Sequence, residues 1–444
     1  MIELSPELIT IIMLGGVLVL VLAGFPLAYV VGIIALVVGA FVWQGQVSQM
    51  IYLRAQKIML NYTLLAVPLF VFMGAMLERS GIIERLYETL YLWFGGFRGG
   101  LALVTVIVGT IMAATVGIIT ASVTLLTLVA LPSMIKRGYS KSFATGACTA
   151  GGVLGILIPP SIMIVLYGPM AELSVGKLFF GAFVPGFILS GLYISYITIR
   201  AFIQPDIAPP VPIEERAVPF MKKTVMLLVS LVPPAILIMS VLGAIFMGIA
   251  APTEAAGVGA FAATLLAIAY RRFSFDVLKE CATMTLRLSG FILLVGAMSF
   301  AFTGVFLGAG GGKVVTDVIL ATPGGRWGAF AAIMFICFLL GMFIDWIGII
   351  FIMVPIITPI GEVLGFDPIW FAIMICVNLQ TSFMTPPFAM AIYICRGAAA
   401  PELGVTVADI IRGVIPFVIL ILIAIVILVI WPNLILWLPS LMIR

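Results

Sequence analysis

Long apolar runs separated by short polar, glycine- or proline-bearing stretches follow one another along the whole chain. Runs of this kind occupy Leu8–Ala23, Leu27–Trp43, Leu64–Leu77, Leu178–Ile199, Val225–Phe246, Gly257–Tyr270 and Ile410–Ile430. A helix needs roughly 20 apolar residues to cross the hydrocarbon core, so these runs predict membrane spans. The first has acidic residues before it (Glu3, Glu7) and no small-residue cleavage site, which favours a retained span over a signal peptide. Between the spans, Gln49–Asn61, Ile82–Phe94 and Ser274–Leu286 mix charges with apolar residues at helical spacing. They read as helices lying in the membrane interface and bracing a frame, or as solvated connections.

Two regions depart from this pattern. Leu101–Ile135 and Ala329–Ile360 each hold about twice the residues one crossing needs at ~1.5 Å per residue. Their centres carry small or polar residues: Thr115, Gly117, Thr120 and Ser122 in the first, Gly341, Asp345 and Gly348 in the second. Two crossings fit the length. A re-entrant hairpin fits the tip chemistry better, because irregular backbone at membrane depth is tolerated only when buried in protein or lining a cavity.

Punctuation repeats at a constant distance. Pro132, Gly138 and Pro159-Pro160 recur as Pro359, Gly365 and Pro386-Pro387, a shift of 227 positions. Gly74-Ala75-Met76 is echoed by Gly296-Ala297-Met298, and Gly39-Ala40-Phe41 by Gly259-Ala260-Phe261. The pattern predicts two repeats, 1–203 and 221–434, joined by a polar, proline-rich linker at 204–220 and followed by a tail at 435–444. Each repeat holds a hairpin (about 101–135 and 329–360) and a proline-broken span (about 142–170 and 369–396). Interrupted hydrophobic segments at matching positions of two halves are the best sequence pointer to a transporter's midplane site.

Composition narrows the class. With 64% hydrophobic and 9% charged residues, the chain reads as an all-α polytopic membrane protein. Five full crossings per half is an odd number, so the halves are expected to be inverted. That arrangement puts sixteen of the 22 Lys and Arg residues on one face and only Arg54, Lys57, Lys177, Lys313, Arg326 and Arg444 on the other. The richer face is then cytoplasmic. No histidine is present, which excludes a His relay or triad and leaves carboxylates as the only proton carriers. The five cysteines are scattered without paired spacing, which argues against disulfides and metal sites. The Gly308–Gly312 run follows no strand and fits no phosphate-binding fingerprint.

The chemistry concentrates at the breaks. Gly151-Gly152-Val153-Leu154-Gly155 precedes Pro159-Pro160-Ser161, and Asn378-Leu379-Gln380-Thr381-Ser382 precedes Thr385-Pro386-Pro387. Proline removes a donor and frees carbonyl oxygens. Those carbonyls, with Ser, Thr and Asn oxygens, form the ligand set a hard monovalent cation requires; a packing kink is the alternative. Asp345, inside an apolar run, is expected to be liganded, hydrogen-bonded or protonated, unless it lies near an interface. Glu254, at a helix start, reads as a cap before a transport residue. Glu172 and Asp367 read as loop acids.

The arrangement Gly117, Pro132, Lys136-Arg137-Gly138-Tyr139 and Gly155-Ile156-Leu157-Ile158-Pro159-Pro160-Ser161 resembles the large membrane subunit of the tripartite ATP-independent periplasmic (TRAP) transporters. Phe343-Ile344-Asp345 and Thr385-Pro386-Pro387 are similar to the second half of the same family. The resemblance covers essentially the whole chain. It implies an ion-transporter-type fold with a scaffold and a mobile transport domain working as an elevator. It further implies sodium-driven uptake of a small organic acid across the bacterial inner membrane, with a periplasmic substrate-binding protein and a small membrane subunit of about four helices as partners. No cofactor or nucleic acid is implied beyond two or more coupling sodium ions. Carried over residue by residue, it implies sodium sites at Gly117, Thr120, Ser122, Gly155 and Pro159, and at Gly341, Asp345, Asn378, Thr381 and Thr385. Substrate contacts are implied at Thr115, Ser161, Ser382 and Pro386. Relatives often carry Gly-Ser-Ser at the first tip, where this chain has Gly117-Ile118-Ile119, so hydroxyls must come from Thr115, Thr120 or Ser122. Rival readings are a self-sufficient carboxylate carrier, a membrane-embedded enzyme and a channel. The enzyme lacks a nucleophile motif or ligand cluster, and a channel has no need of inverted, interrupted halves.

Overall fold

In a bilayer every backbone amide and carbonyl must be bonded within the protein, and a helix does this locally. The computed structural model describes residues 5–43, 46–212 and 214–442, with the side chains of 114–116 also outside the description, and no strand occurs among these residues. In chain order the helices are α1 (Pro6–Leu22, with a π turn at Ile11–Gly15), α2 (Leu27–Trp43), α3 (Val47–Met59), α4 (Tyr62–Arg79), α5 (Ile82–Phe94), α6 (Gly100–Val116) and α7 (Ile119–Lys136). There follow α8 (Lys141–Val153), α9 (Ile162–Met170), α10 (Val175–Ile203), α11 (Phe220–Phe246), α12 (Pro252–Ala269), α13 (Phe275–Gly308) and α14 (Gly311–Leu320). The last are α15 (Gly325–Gly341), α16 (Trp346–Ile352), α17 (Val354–Val363), α18 (Pro368–Ser382), α19 (Met390–Ala398), α20 (Val407–Ile430) and α21 (Asn433–Ser440).

Among the described residues, seven helices are long and apolar enough to cross a membrane, or eight if α16 and α17, bent by 56°, count as one. The molecule is therefore an all-helical polytopic membrane protein. Its outer helices present Ile11, Tyr29, Phe41, Ile236, Ile419 and Val426 outward, a surface suited to lipid and a liability in water.

Helices gain little hydrophobic energy by pairing inside lipid, so close packing through small residues holds them. The centre is built this way. α6 and α7 fold back on each other and both lie against α8, which also packs on α20. A Cβ on Gly109 would sit 2.5 Å from the Gly151 carbonyl oxygen, and one on Gly146 2.3 Å from that of Gly413. At the periphery α2, α3 and α4 pack along α13.

The two copies of the sequence pattern take the same local geometry. Gly138 and Gly365 both turn with φ of +80° and +73°, a region open to glycine, and Pro159-Pro160 and Pro386-Pro387 are both cis. The amphipathic stretch Ser274–Leu286 is neither a separate surface helix nor a loop. Ser274 caps it by accepting from the Val277 amide at 3.1 Å, and the helix runs on for 34 residues as α13. At ~1.5 Å per residue that length exceeds the ~30 Å core. Glu254 accepts from the Ala251 amide at 2.9 Å, a cap as expected, and Asp367 likewise starts α18 by accepting from Ile369 and Trp370.

Candidate functional site

The first break joins α8 to α9 through residues 154–161, all of them buried. Proline cannot continue the ladder, so the helix loosens to a 3-10 turn at Leu154–Ile156 before the double proline. Ser161 returns its hydroxyl to the Ile156 carbonyl across the break. The α6–α7 tip is pressed against it: a Cβ on Gly117 would lie 3.5 Å from the Ile162 nitrogen and 3.6 Å from the Pro160 oxygen. Gly117 takes φ of +64°, which lets the tip reverse there. Ser122 is fully buried beside Gly155, where a Cβ would come within 2.9 Å of its Oγ. That hydroxyl has no hydrogen-bond partner among the described residues.

The structure thus gathers Gly117, Ser122, Gly155, Pro159 and Ser161. Thr120 does not join them. It is exposed, because two positions along a helix from Ser122 is about 200° around it. The side chain of Thr115 lies outside the described residues.

The second break follows α18 and is more open. Phe383 and Met384 are buried, but Pro386, Pro387 and Phe388 are exposed. Asn378 donates to the Met334 carbonyl at 2.8 Å and Ser382 to that of Phe338 at 3.2 Å, fastening α18 to α15. Thr381 donates to the Asn378 carbonyl at 2.6 Å and Thr385 to that of Thr381 at 2.8 Å. A hydroxyl that donates to a carbonyl keeps its lone pairs for another partner. Gly341 touches this set, since a Cβ there would fall 2.4 Å from Ser382 Oγ.

Asp345 starts α16 and accepts from the Trp346 amide at 2.9 Å. It shares a cavity of about 460 Å³ with Gly341, Phe343, Phe388, Met390 and Tyr393. Phe343 and Phe388 meet edge to face at 6.1 Å across it. Gly341, Asp345, Asn378, Thr381, Ser382, Thr385 and Pro386 therefore belong to one neighbourhood, with Pro386 on its exposed side. The two neighbourhoods interlock: α7 packs on α19, and α16 packs on α9.

Two features of this region escape a reading of the sequence. The aromatic rim of Phe343 and Phe388 shows no periodic signal. Gln380 is fully buried with neither amide atom bonded among the described residues; its place inside a polar run beside a break was the only hint. No group of three or more Cys, Asp or Glu gathers among the described residues, so any ion here must be held mainly by carbonyl and hydroxyl oxygens.

The fold has a counterpart in the crystal structure of the Alcanivorax borkumensis YdaH transporter, with a TM-score of 0.61 at 16% identity over 89% of each chain. In sequence, the chain is 31% identical to the C4-dicarboxylate TRAP transporter large permease protein DctM of Pseudomonas aeruginosa, covering 86% of this chain and 87% of that one. It is 28% identical to the ectoine TRAP transporter large permease protein TeaC of Halomonas elongata, covering 98% and 100%. Residues 14–434 match the family described as tripartite ATP-independent periplasmic transporter, DctM component. With that match over most of its length, the chain belongs to the DctM family of TRAP transporter large permeases, which are transporters and not enzymes.

Proposed function

We propose that the chain is the sodium-coupled permease subunit of a TRAP transporter that carries a small organic acid inward across the bacterial inner membrane. One observation supports this above the others. Two proline breaks, each facing the tip of a helical hairpin, are surrounded by carbonyl and hydroxyl oxygens, with one carboxylate, Asp345, beside the second. That donor set suits sodium and has no imidazole to relay protons.

In this reading residues 1–203 and 221–434 are inverted repeats, and the α6–α7 and α15–α17 hairpins are re-entrant. Gly117, Ser122, Gly155 and Pro159 serve one sodium ion; Gly341, Asp345, Asn378, Thr381 and Thr385 serve another. Ser161, Ser382 and Pro386 face the substrate. The hairpins and broken helices move together as an elevator against a frame that includes α3 and α13. The word tripartite in the family description supports two further partners, a small membrane subunit and a periplasmic substrate-binding protein. A permease for C4-dicarboxylates among the relatives supports an organic acid as cargo.

Uptake into proteoliposomes containing all three components is expected to collapse when sodium is replaced by choline or potassium. Undiminished uptake driven by a proton gradient alone would overturn the coupling.

A further inference from the structure

None of the candidate residues at the two helix breaks is a Lys or Arg that could receive a carboxylate. The fold supplies one elsewhere. A cavity of about 810 Å³ opens between two walls, on the face expected from the charge count to carry few Lys and Arg residues. One wall is α3 with α13, contributing Arg54, Lys57 and Thr303; the other is the α9–α10 turn with α17, contributing Glu172, Thr358 and Glu362. The second wall is therefore built from the elements that adjoin the first break and complete the second hairpin.

Arg54 and Lys57 stand three positions apart on α3 and so share a face. Arg54 is half-buried, and its stem lies in the notch left by Gly304 of α13. A Cβ on Gly304 would sit 2.9 Å from Arg54 Nε and 3.2 Å from its Cγ. Packing, not a carboxylate, positions this guanidinium. The two ion pairs among the described residues are Arg79–Glu280 and Arg137–Glu215, and neither involves Arg54 or Lys57. Arg is permanently charged and its fork matches a carboxylate. The cavity volume falls in the ~300–1,000 Å³ range of small-molecule sites. Glu172 and Glu362, both exposed on the opposite wall, reduce the net attraction, as suits a site that must release what it takes.

We propose that Arg54 and Lys57 form an outer carboxylate-receiving site, where a small organic anion docks before it reaches the helix breaks. Its role in uptake rests on the transport reading above; its ability to bind an anion does not.

The test uses a reporter cysteine at Thr63, which lines the cavity, in a chain whose five native cysteines are buried. Thr63→Cys is labelled with anionic methanethiosulfonate-ethylsulfonate and with its cationic trimethylammonium-ethyl counterpart. The anionic reagent is expected to react faster. Arg54→Gln with Lys57→Gln should lower the anionic-to-cationic rate ratio by about tenfold. Gly304→Ala, which keeps both charges but displaces the Arg54 stem, should lower it in the same direction. Excess succinate should slow the anionic reagent in the parent and not in the double variant. A ratio indifferent to Arg54 and Lys57, or no protection by succinate in the parent, overturns the site. If these results hold while uptake ignores sodium, the sodium reading falls and the anion site stands.

Discussion

The same punctuation, proline then glycine then double proline, leads to two different environments. Around the first break every residue from 154 to 161 is buried, glycines bring helix backbones into contact, and the hairpin tip closes over Pro160. Around the second break the glycines are fewer and the side chains richer: Asn378, Thr381, Ser382 and Thr385 supply oxygens, Asp345 supplies a charge, and a cavity reaches in past Phe388. One break is sealed among close-packed backbone; the other is open and lined by polar side chains. A shared pattern fixes where a helix breaks, while the residues around the break decide what it can bind and from where.

The difference is broken most directly by substitution at the two tips. Asp345→Asn removes the one carboxylate and should lower sodium-dependent uptake by about a hundredfold, the ~3 kcal/mol a charged ligand can supply. Ser122→Ala removes one hydroxyl from the proposed first sodium site, whose other proposed ligands are carbonyls, and should lower uptake by less than about tenfold. Initial uptake rates at several sodium concentrations, on protein shown to be folded, provide the check. Equal losses at both positions would mean that the first site also depends on its side chain.

Accessibility sharpens the same contrast. Phe388 is 49% exposed, whereas Ile158 is 1% exposed. Phe388→Cys should react with a soluble thiol reagent at least about tenfold faster than Ile158→Cys, since the buried position must first open. Sodium should shift the rate at 388, because a ligand moves a conformational equilibrium through its different affinity for the two states.

Packing is the third point of difference. A Cβ on Gly152 would lie 2.5 Å from Val123 Cγ2 and 2.8 Å from the Val123 backbone nitrogen. Gly152→Val therefore overpacks the α7–α8 contact and should cost about 1–3 kcal/mol, read as a lower unfolding temperature in nanodiscs. Phe388→Ala, on the exposed side, loses only its edge-to-face contact with Phe343 and should cost about 1 kcal/mol or less.

Much of this was legible in the sequence, and for identifiable reasons. Spans, breaks and turns follow from hydrophobic length and from Gly and Pro, which act locally; Gly138 and Gly365 turn because the chain needs a left-handed residue there. The continuity of α13 was not legible. Lys279 and Arg287 made its first part look like a separate element, yet no Gly or Pro lies between Phe275 and Ser289 to end the helix. Nor could the sequence place Thr120 outward and Ser122 inward, since that depends on which face of α7 meets α8. The Arg54 cavity joins α3 to residues more than a hundred positions away, and no local pattern announces such a meeting.

The hairpin roots differ as well, and there the smallest effect is expected. At the second root, Phe366 stacks on Trp370 and Trp327 meets Phe366 edge to face, with Arg326 over the Trp327 and Phe366 rings at 5.1 and 5.0 Å. At the first root, the polar linker at 204–220 ties both ends down: Gly99 donates to the Ala208 carbonyl and Ser140 to that of Ile207. Glu215 of the linker completes this tie by accepting from Tyr91 at 2.8 Å and from Arg137. Those two donors, Tyr91 first, hold its carboxyl below the ordinary glutamate value. A depressed carboxyl stabilises the fold above its unfolded pKa and loses that contribution as pH falls through the folded value. Glu215 is exposed, so solvent screens the pair and the effect is small. Glu215→Gln should lower the unfolding temperature slightly at neutral pH. The gap between parent and variant should close in acid, below the usual glutamate range of about 4.3. Thermal unfolding in nanodiscs across that range decides it. A gap that persists in acid would mean that the linker holds the first root by its backbone bonds, with Glu215 adding shape and not charge.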